Sequence, residues 1–108
     1  MRNPGKESEQ ILCQDNAPDA QVTITRVTMK PGAVSARHSH PNSEQTWLIE
    51  AGQGMLLLEG DQSIPLSAGE IVRTPPCVVH GIENTGEGAL VYLAITTPPE
   101  DMGKYYEG

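Results

Sequence analysis

Three histidines and one glutamate stand at positions where their side chains could share a metal ion. His38 and His40 are two residues apart in an extended segment, so both rings point to the same face, with Cα atoms about 6–7 Å apart. Glu44 follows a Pro-Asn-Ser turn that could fold its carboxylate back towards them, and His80 lies on a later segment that could cross opposite. Three imidazoles and one carboxylate suit Mn, Fe, Co, Ni, Cu or Zn rather than Ca or Mg.

The H-x-H pair taken alone is a weak signal, because a histidine on a strand is usually a surface or capped residue. If a metal is present, an octahedral ion would keep about two open positions for water, O₂ or a chelating substrate. A dication with one carboxylate leaves a site charge of about +1. Such a site would attract an anionic or enolisable small molecule.

Short strands must position these groups, since eleven glycines and nine prolines cut the chain into short pieces. A phase shift at Arg26-Val27 indicates a bulge. Regularly spaced strands favour a sandwich or closed barrel, and the crossover helices of a parallel sheet have no room. Residues 1–9 are expected to be loose, and the tail 98–108 is unassigned, with Tyr105-Tyr106 a frayed end or a flap. The predicted strands are 10–14, 21–30, 34–40, 44–50, 55–59, 62–66, 70–74, 78–83 and 89–96.

Strand alternation predicts which neighbours of the ligands face the barrel interior. The predicted pocket residues share the parity of Glu44 or His80 and are Thr46, Leu48, Val78 and Ile82. An ordinary core position is the simpler interpretation for Leu48. Trp47 has the opposite parity and is predicted to point outward, which is typical of an interface residue.

Composition excludes several classes of partner. The net charge of −7 leaves no basic face for nucleic acid, and anionic membrane surfaces are disfavoured for the same reason. The longest strongly apolar run, Met55 to Leu58, is too short to span a bilayer, and the N-terminus lacks an apolar signal core. Two cysteines suit a reducing compartment. We expect one domain over residues 1–108, in the cytoplasm, with a small-molecule ligand.

The glycines and prolines around the candidate ligands resemble the two motifs of the cupin superfamily. The first motif is matched by Gly32, five residues, His38-Ser39-His40, three residues and Glu44. The second is matched by Gly69, five residues, Pro75, His80 and finally Asn84. The resemblance implies an all-β jelly-roll barrel with one divalent transition metal near one mouth. The implied metal ligands are His38, His40, Glu44 and His80.

Two positions depart from the family pattern. The glycine expected after Glu44 falls on Ala51, with Gly52 one place later. The glycine of the family's Pro-x-Gly turn is Cys77, which is strained if that turn requires a positive φ. Cys77 has a possible ligand role, but a buried packing role is favoured.

The resemblance implies a site but does not select a reaction. The first hypothesis is a metal-dependent dioxygenase, isomerase or lyase that acts on an organic acid, sugar acid or related oxygenated molecule, with Glu44 as a catalytic carboxylate. The alternative is a non-catalytic binding or regulatory cupin with a structural metal, although no output domain is visible. A homodimer is also expected, because open sheet edges and an outward Trp47 need cover and the segment Gln10 to Gln14 could pair with a partner.

Overall fold

The described part of the protein, residues 5–13 and 16–98 of a computed structural model, consists of strands and turns. No helix there is long and apolar enough to cross a membrane. The fold is all-β, as predicted. The nine strands are β1 (Lys6–Leu12), β2 (Thr23–Met29), β3 (Val34–His38), β4 (Glu44–Ala51), β5 (Gln53–Leu57), β6 (Ser63–Ser67), β7 (Ile71–Thr74), β8 (His80–Glu83) and β9 (Leu90–Thr97).

The strands form two antiparallel sheets that enclose one core. The larger sheet has the order β1-β2-β9-β4-β7, and the smaller sheet has the order β3-β8-β5-β6. Glycines permit the tight turns: Gly52 joins β4 to β5 with a φ of 88°, and Gly69 precedes β7 with a φ of 91°. From β2 to β5 and again from β6 to β9, successive strands alternate between the two sheets, which is the arrangement of the expected barrel.

The interior is apolar at one end and polar at the other. In β2 the buried residues alternate without interruption as Thr23, Thr25, Val27 and Met29. The pairing with β9 is continuous through Arg26, so the predicted bulge at Arg26-Val27 is wrong. The apparent phase shift in the sequence arises because threonines occupy inward positions at one end of the strand.

The N-terminal strand begins earlier than the sequence indicated. β1 starts at Lys6, inside the segment expected to be loose, and it pairs with β2 of the same chain. Its irregularity lies between Gln10 and Leu12. Gln14 and the tail containing Tyr105-Tyr106 lie outside the described residues.

Trp47 is buried, with 2% of its surface exposed, so the prediction that it points outward is wrong. Its ring packs on that of Tyr92, with centroids 5.1 Å apart. Because side chains alternate along β4, an inward Trp47 requires Gln45 and Ile49 to point inward as well, and both are buried. Burial of Trp47, the largest apolar side chain of the chain, therefore determines which alternate side chains of β4 point into the core.

Candidate metal centre

Strand pairing places His38 and His80 side by side. His38 ends β3 and His80 begins β8, and the two are register partners with ring centroids 4.6 Å apart. Gly81 allows this approach, since a Cβ there would lie 2.7 Å from the carbonyl oxygen of Ser35. The pairing of β3 with β8 is irregular between Ser35 and His38. This irregularity lets the side chain of His38, the last residue of β3, turn towards His80.

His40 completes the cluster from the loop after β3. Its ring centroid lies 5.0 Å from that of His38 and 5.1 Å from that of His80. The backbone N–H of Cys77 donates to the carbonyl oxygen of His40 at 2.8 Å, which links the loop after β3 to the loop before β8. One potential ligand atom from each ring lies within 4.8 Å of the others.

Hydrogen bonds orient two of the rings for metal binding. Nδ1 of His38 donates to the carbonyl oxygen of Ala36 at 2.7 Å, and Nδ1 of His80 donates to that of Val78 at 2.9 Å. Because a carbonyl oxygen only accepts, each Nδ1 carries the proton and each Nε2 keeps a lone pair. Nε2 of His80 is buried without a hydrogen-bond partner among the described residues. A buried lone pair beside two further imidazoles fits a bound metal ion.

Burial also keeps the imidazoles neutral, which metal binding requires. Burial, followed by the neighbouring histidines, lowers the pKa of His40 to about 4. Burial is also the main cause that lowers the pKa of His80 to about 4. The pKa of His38 is lowered by burial and by the nearby Lys6 ammonium, which donates to Ser35 at 3.0 Å.

Glu44 lies on the other face of β4 and is not brought to the histidines. Its carboxylate accepts from Arg73 Nε at 2.8 Å and from Arg73 Nη2 at 3.2 Å. This bidentate pair holds the pKa of Glu44 below its usual value. No carboxylate of the described residues joins the three-histidine cluster. The difference from the predicted ligand set follows from the strand phase, which points Glu44 outward when Trp47 points inward.

Gln45 takes the inward position that sequence reasoning assigned to Glu44. It is 2% exposed, its Nε2 donates to Thr96 Oγ1 at 3.0 Å, and its Oε1 accepts from Trp47 Nε1 at 3.0 Å. The sequence contains one signal for this choice. Six residues separate Gln45 from Gly52, whereas the motif counted from Glu44 needs a glycine where Ala51 stands.

Of the four predicted pocket residues, one lies in the interior. Ile82 is fully buried in the core. Thr46 and Leu48 lie with Glu44 on the outer face of β4, half-buried, because they share its parity. Val78 is 40% exposed. Cys77 is exposed rather than buried, and its φ of 67° is the positive value that a glycine would adopt without strain.

The family model described as "Cupin domain" matches residues 25–96 of the 108-residue chain. The chain belongs to the cupin family. This cupin is 27% identical over 89 residues to an oxalate-binding protein from Thermotoga maritima, covering 82% of this chain and 73% of that protein. It is 36% identical over 80 residues to an (R)-mandelonitrile lyase from Granulicella tundricola, covering 73% of this chain and 60% of the lyase.

A solved structure shares the cupin's fold. The crystal structure of a predicted oxalate decarboxylase from Thermotoga maritima superimposes with a TM-score of 0.78 at 26% identity, covering 86% of this chain and 80% of that one. Some relatives are far longer. The cupin is 32% identical to a mannose-1-phosphate guanylyltransferase from Salmonella montevideo over 67% of the cupin chain, but this region spans only 15% of the length of the transferase.

Proposed function

We propose that this cupin binds one divalent transition-metal ion through His38, His40 and His80 and acts on a small, oxygen-rich organic acid. The convergence of three neutral imidazoles carries the proposal. With Glu44 engaged by Arg73 on the outer face, a bound dication would keep a charge of about +2. That charge favours an anionic ligand more strongly than the +1 expected with a carboxylate ligand.

The bound ion would act as a Lewis acid that polarises an oxygen of the acid. The chain's own residues fix its surroundings. The carbonyl oxygens of Ala36 and Val78 hold two of the imidazole rings, and the Trp47 ring packs 5.5 Å from that of His80. Imidazole ligands suit Zn, Cu, Fe and Ni, and Mn and Co remain further candidates for the bound ion.

Two relatives support different versions of this function. The lyase from Granulicella tundricola, 36% identical over the matched region, supports an enzyme. The oxalate-binding protein from Thermotoga maritima supports the second candidate, a cupin that binds an acid without converting it. Both candidates require an anionic ligand at the metal, and they differ in whether the acid is chemically changed.

Metal-dependent binding of organic acids tests the proposal. We expect Zn²⁺-loaded protein to bind oxalate or glycolate at least about tenfold more tightly than chelator-treated protein, because the ion supplies the positive charge of the site. Isothermal titration calorimetry measures both affinities. Incubation of each acid with loaded protein, followed by NMR, then separates conversion from binding. Equal affinity with and without Zn²⁺ would exclude the proposed role of the metal.

The cellular compartment and the assembly are also part of the proposal. Cys13 and Cys77 are both free thiols, which supports the reducing cytoplasm inferred from the sequence. A homodimer no longer gains support from Trp47, which is buried. It gains support from the outer face of the larger sheet. Strand register there places next to one another the apolar residues Ile24, Ile95, Leu93, Leu48 and Ile71.

We therefore expect light scattering at micromolar concentration to give twice the chain mass of 11.6 kDa. A Leu48→Glu variant should shift the mass towards the monomer, because its register partners on both sides, Leu93 and Ile71, are apolar and the buried charge would have no partner. Glu7→Gln, on the exposed strand β1, is the matched control and should remain dimeric. A monomeric wild-type protein would contradict the homodimer.

A further inference from the structure

Three buried side chains on the inner face of the larger sheet are joined by hydrogen bonds. Gln45 Nε2 donates to Thr96 Oγ1 at 3.0 Å, and Trp47 Nε1 donates to Gln45 Oε1 at 3.0 Å. Because an indole N–H can only donate, the second bond identifies its acceptor as the amide oxygen and so fixes the orientation of the amide. Each of the three residues is 1% or 2% exposed, so these bonds lie inside the barrel.

The Trp47 ring connects these hydrogen bonds to the candidate metal centre. Its centroid lies 5.5 Å from that of the His80 ring, with the two planes at 80°, which is an edge-to-face contact. On the imidazole, Nδ1 is held by the carbonyl oxygen of Val78, and Nε2 is the buried atom without a hydrogen-bond partner among the described residues. The direction of Nε2 therefore depends on contacts that limit rotation of the ring, and the indole supplies one of them.

An inward glutamine could instead bind a metal ion directly through its amide oxygen. In this structure the amide oxygen of Gln45 accepts from the indole of Trp47. Carbonyl oxygens suit Mg, Ca and Mn better than they suit the metals that imidazoles favour. A buried indole N–H that loses its acceptor also destabilises the fold. Both considerations favour the indole over the ion as the partner of the amide.

We propose that Gln45 is a positioning residue of the metal centre, which holds the Trp47 ring in the orientation that keeps His80 directed at the ion. The inference rests on the proposed function, in which His80 is a metal ligand. Gln45 acts through Trp47 and does not bind the ion itself. Without the amide, the indole N–H has no acceptor, the ring can turn, and His80 loses a contact that limits its rotation. The ion then binds to a less ordered set of ligands.

A double-mutant cycle between Gln45 and Trp47 tests the inference. Gln45→Leu removes the acceptor, and Trp47→Phe removes the donor while it keeps an aromatic ring. We expect each single substitution to weaken Zn²⁺ binding about tenfold, the usual effect of losing a group that orients a metal ligand. The double variant should bind Zn²⁺ within about threefold of Trp47→Phe, because Gln45 has no effect once the indole N–H is absent. Competition with a chromogenic chelator measures all four affinities.

The outcomes of the cycle separate this inference from the proposed function. Losses that multiply to about a hundredfold in the double variant, as a direct ligand would give, overturn the inference, and so does wild-type affinity in Gln45→Leu. Thr46→Val, beside Gln45 on the outer face of β4, is the matched control and should bind within about threefold of the wild type. A wild-type protein that binds no Zn²⁺ would overturn the proposed function together with the inference.

The indole N–H provides a second test that needs no variant to fold. Trp47 is the only tryptophan in the sequence, so a proton–nitrogen correlation NMR spectrum contains one indole signal. In the wild type this signal should have the downfield proton shift of a hydrogen-bonded indole and should keep it when one equivalent of Zn²⁺ is added. A large upfield shift on addition of Zn²⁺ would mean that the amide of Gln45 leaves the indole for the ion, which overturns the inference.

Discussion

Replacement of both His38 and His40 by alanine is expected to abolish tight Zn²⁺ binding. Structural zinc sites with four ligands have binding free energies of roughly 10–16 kcal/mol, or about 3 kcal/mol per ligand. Loss of two ligands therefore costs about 6 kcal/mol, which corresponds to roughly a 10⁴-fold weaker affinity. Competition with a chromogenic chelator measures the affinity, and elemental analysis of purified protein gives the stoichiometry. One Zn²⁺ per chain in the double variant would exclude this site.

Glu44→Gln is the matched control for this experiment. Because Arg73 holds the Glu44 carboxylate on the outer face of β4, this variant should keep one Zn²⁺ per chain with an affinity within about threefold of the wild type. Any catalytic turnover found by screening should be retained as well. A large loss of affinity or turnover in Glu44→Gln would restore the carboxylate to the metal centre, as the sequence motif implied.

The metal-free protein is expected to lose stability as the pH falls from about 6.5 to about 4. In the folded state the pKa values of His40 and His80 are about 4, whereas an unfolded histidine titrates near 6.5. Between these values the unfolded chain binds more protons, so acidification favours unfolding. At about 1.4 kcal/mol per pKa unit, the loss is roughly 3 kcal/mol for each of the two residues. Below pH 4 this contribution is complete.

The histidines provide a direct readout of this pH dependence. All three histidines of the chain lie in the cluster, so the imidazole NMR signals report only on the candidate site. We expect two titration midpoints near 4, together with a free energy of unfolding, from urea denaturation, that rises between pH 4 and 6.5. His80→Gln, which does not titrate, should show a shallower rise. Midpoints near 6.5 for all three rings would mean that the cluster is solvated.

The sequence was sufficient for the fold and for the histidines because these depend on local signals. Alternation, glycines and prolines mark the strands, and the glycine and proline spacings around His38, His40 and His80 resemble the two cupin motifs. The choice between Glu44 and Gln45 depends instead on strand phase, which a one-residue shift inverts. Neighbouring polar residues give no local signal for that phase. What favours Gln45 is its six-residue spacing from Gly52, together with the burial of Trp47, which the structure shows and which stabilises the fold more than burial of the smaller side chains of this strand.

The polar interior was invisible in the sequence for a different reason. Threonine suits either face of a strand, so the sequence does not show whether Thr23 and Thr25 point inward or outward. Only the pairing of β2 with β9 shows that both point inward. Cys77 is an intermediate case: its positive φ followed from its place in a family turn, whereas its exposure required the packing of the surrounding loops.

The position of β9 has a consequence for how the molecule folds. This strand is the last in sequence of the described part, yet it lies in the middle of the larger sheet, between β2 and β4. Neither neighbour has its inner partner until β9 is inserted, so the two halves of that sheet cannot be stabilised separately. Folding should consequently be slow and all-or-none, as is usual when distant segments must pair. Loss of a few residues from this strand would cost the whole barrel rather than one edge.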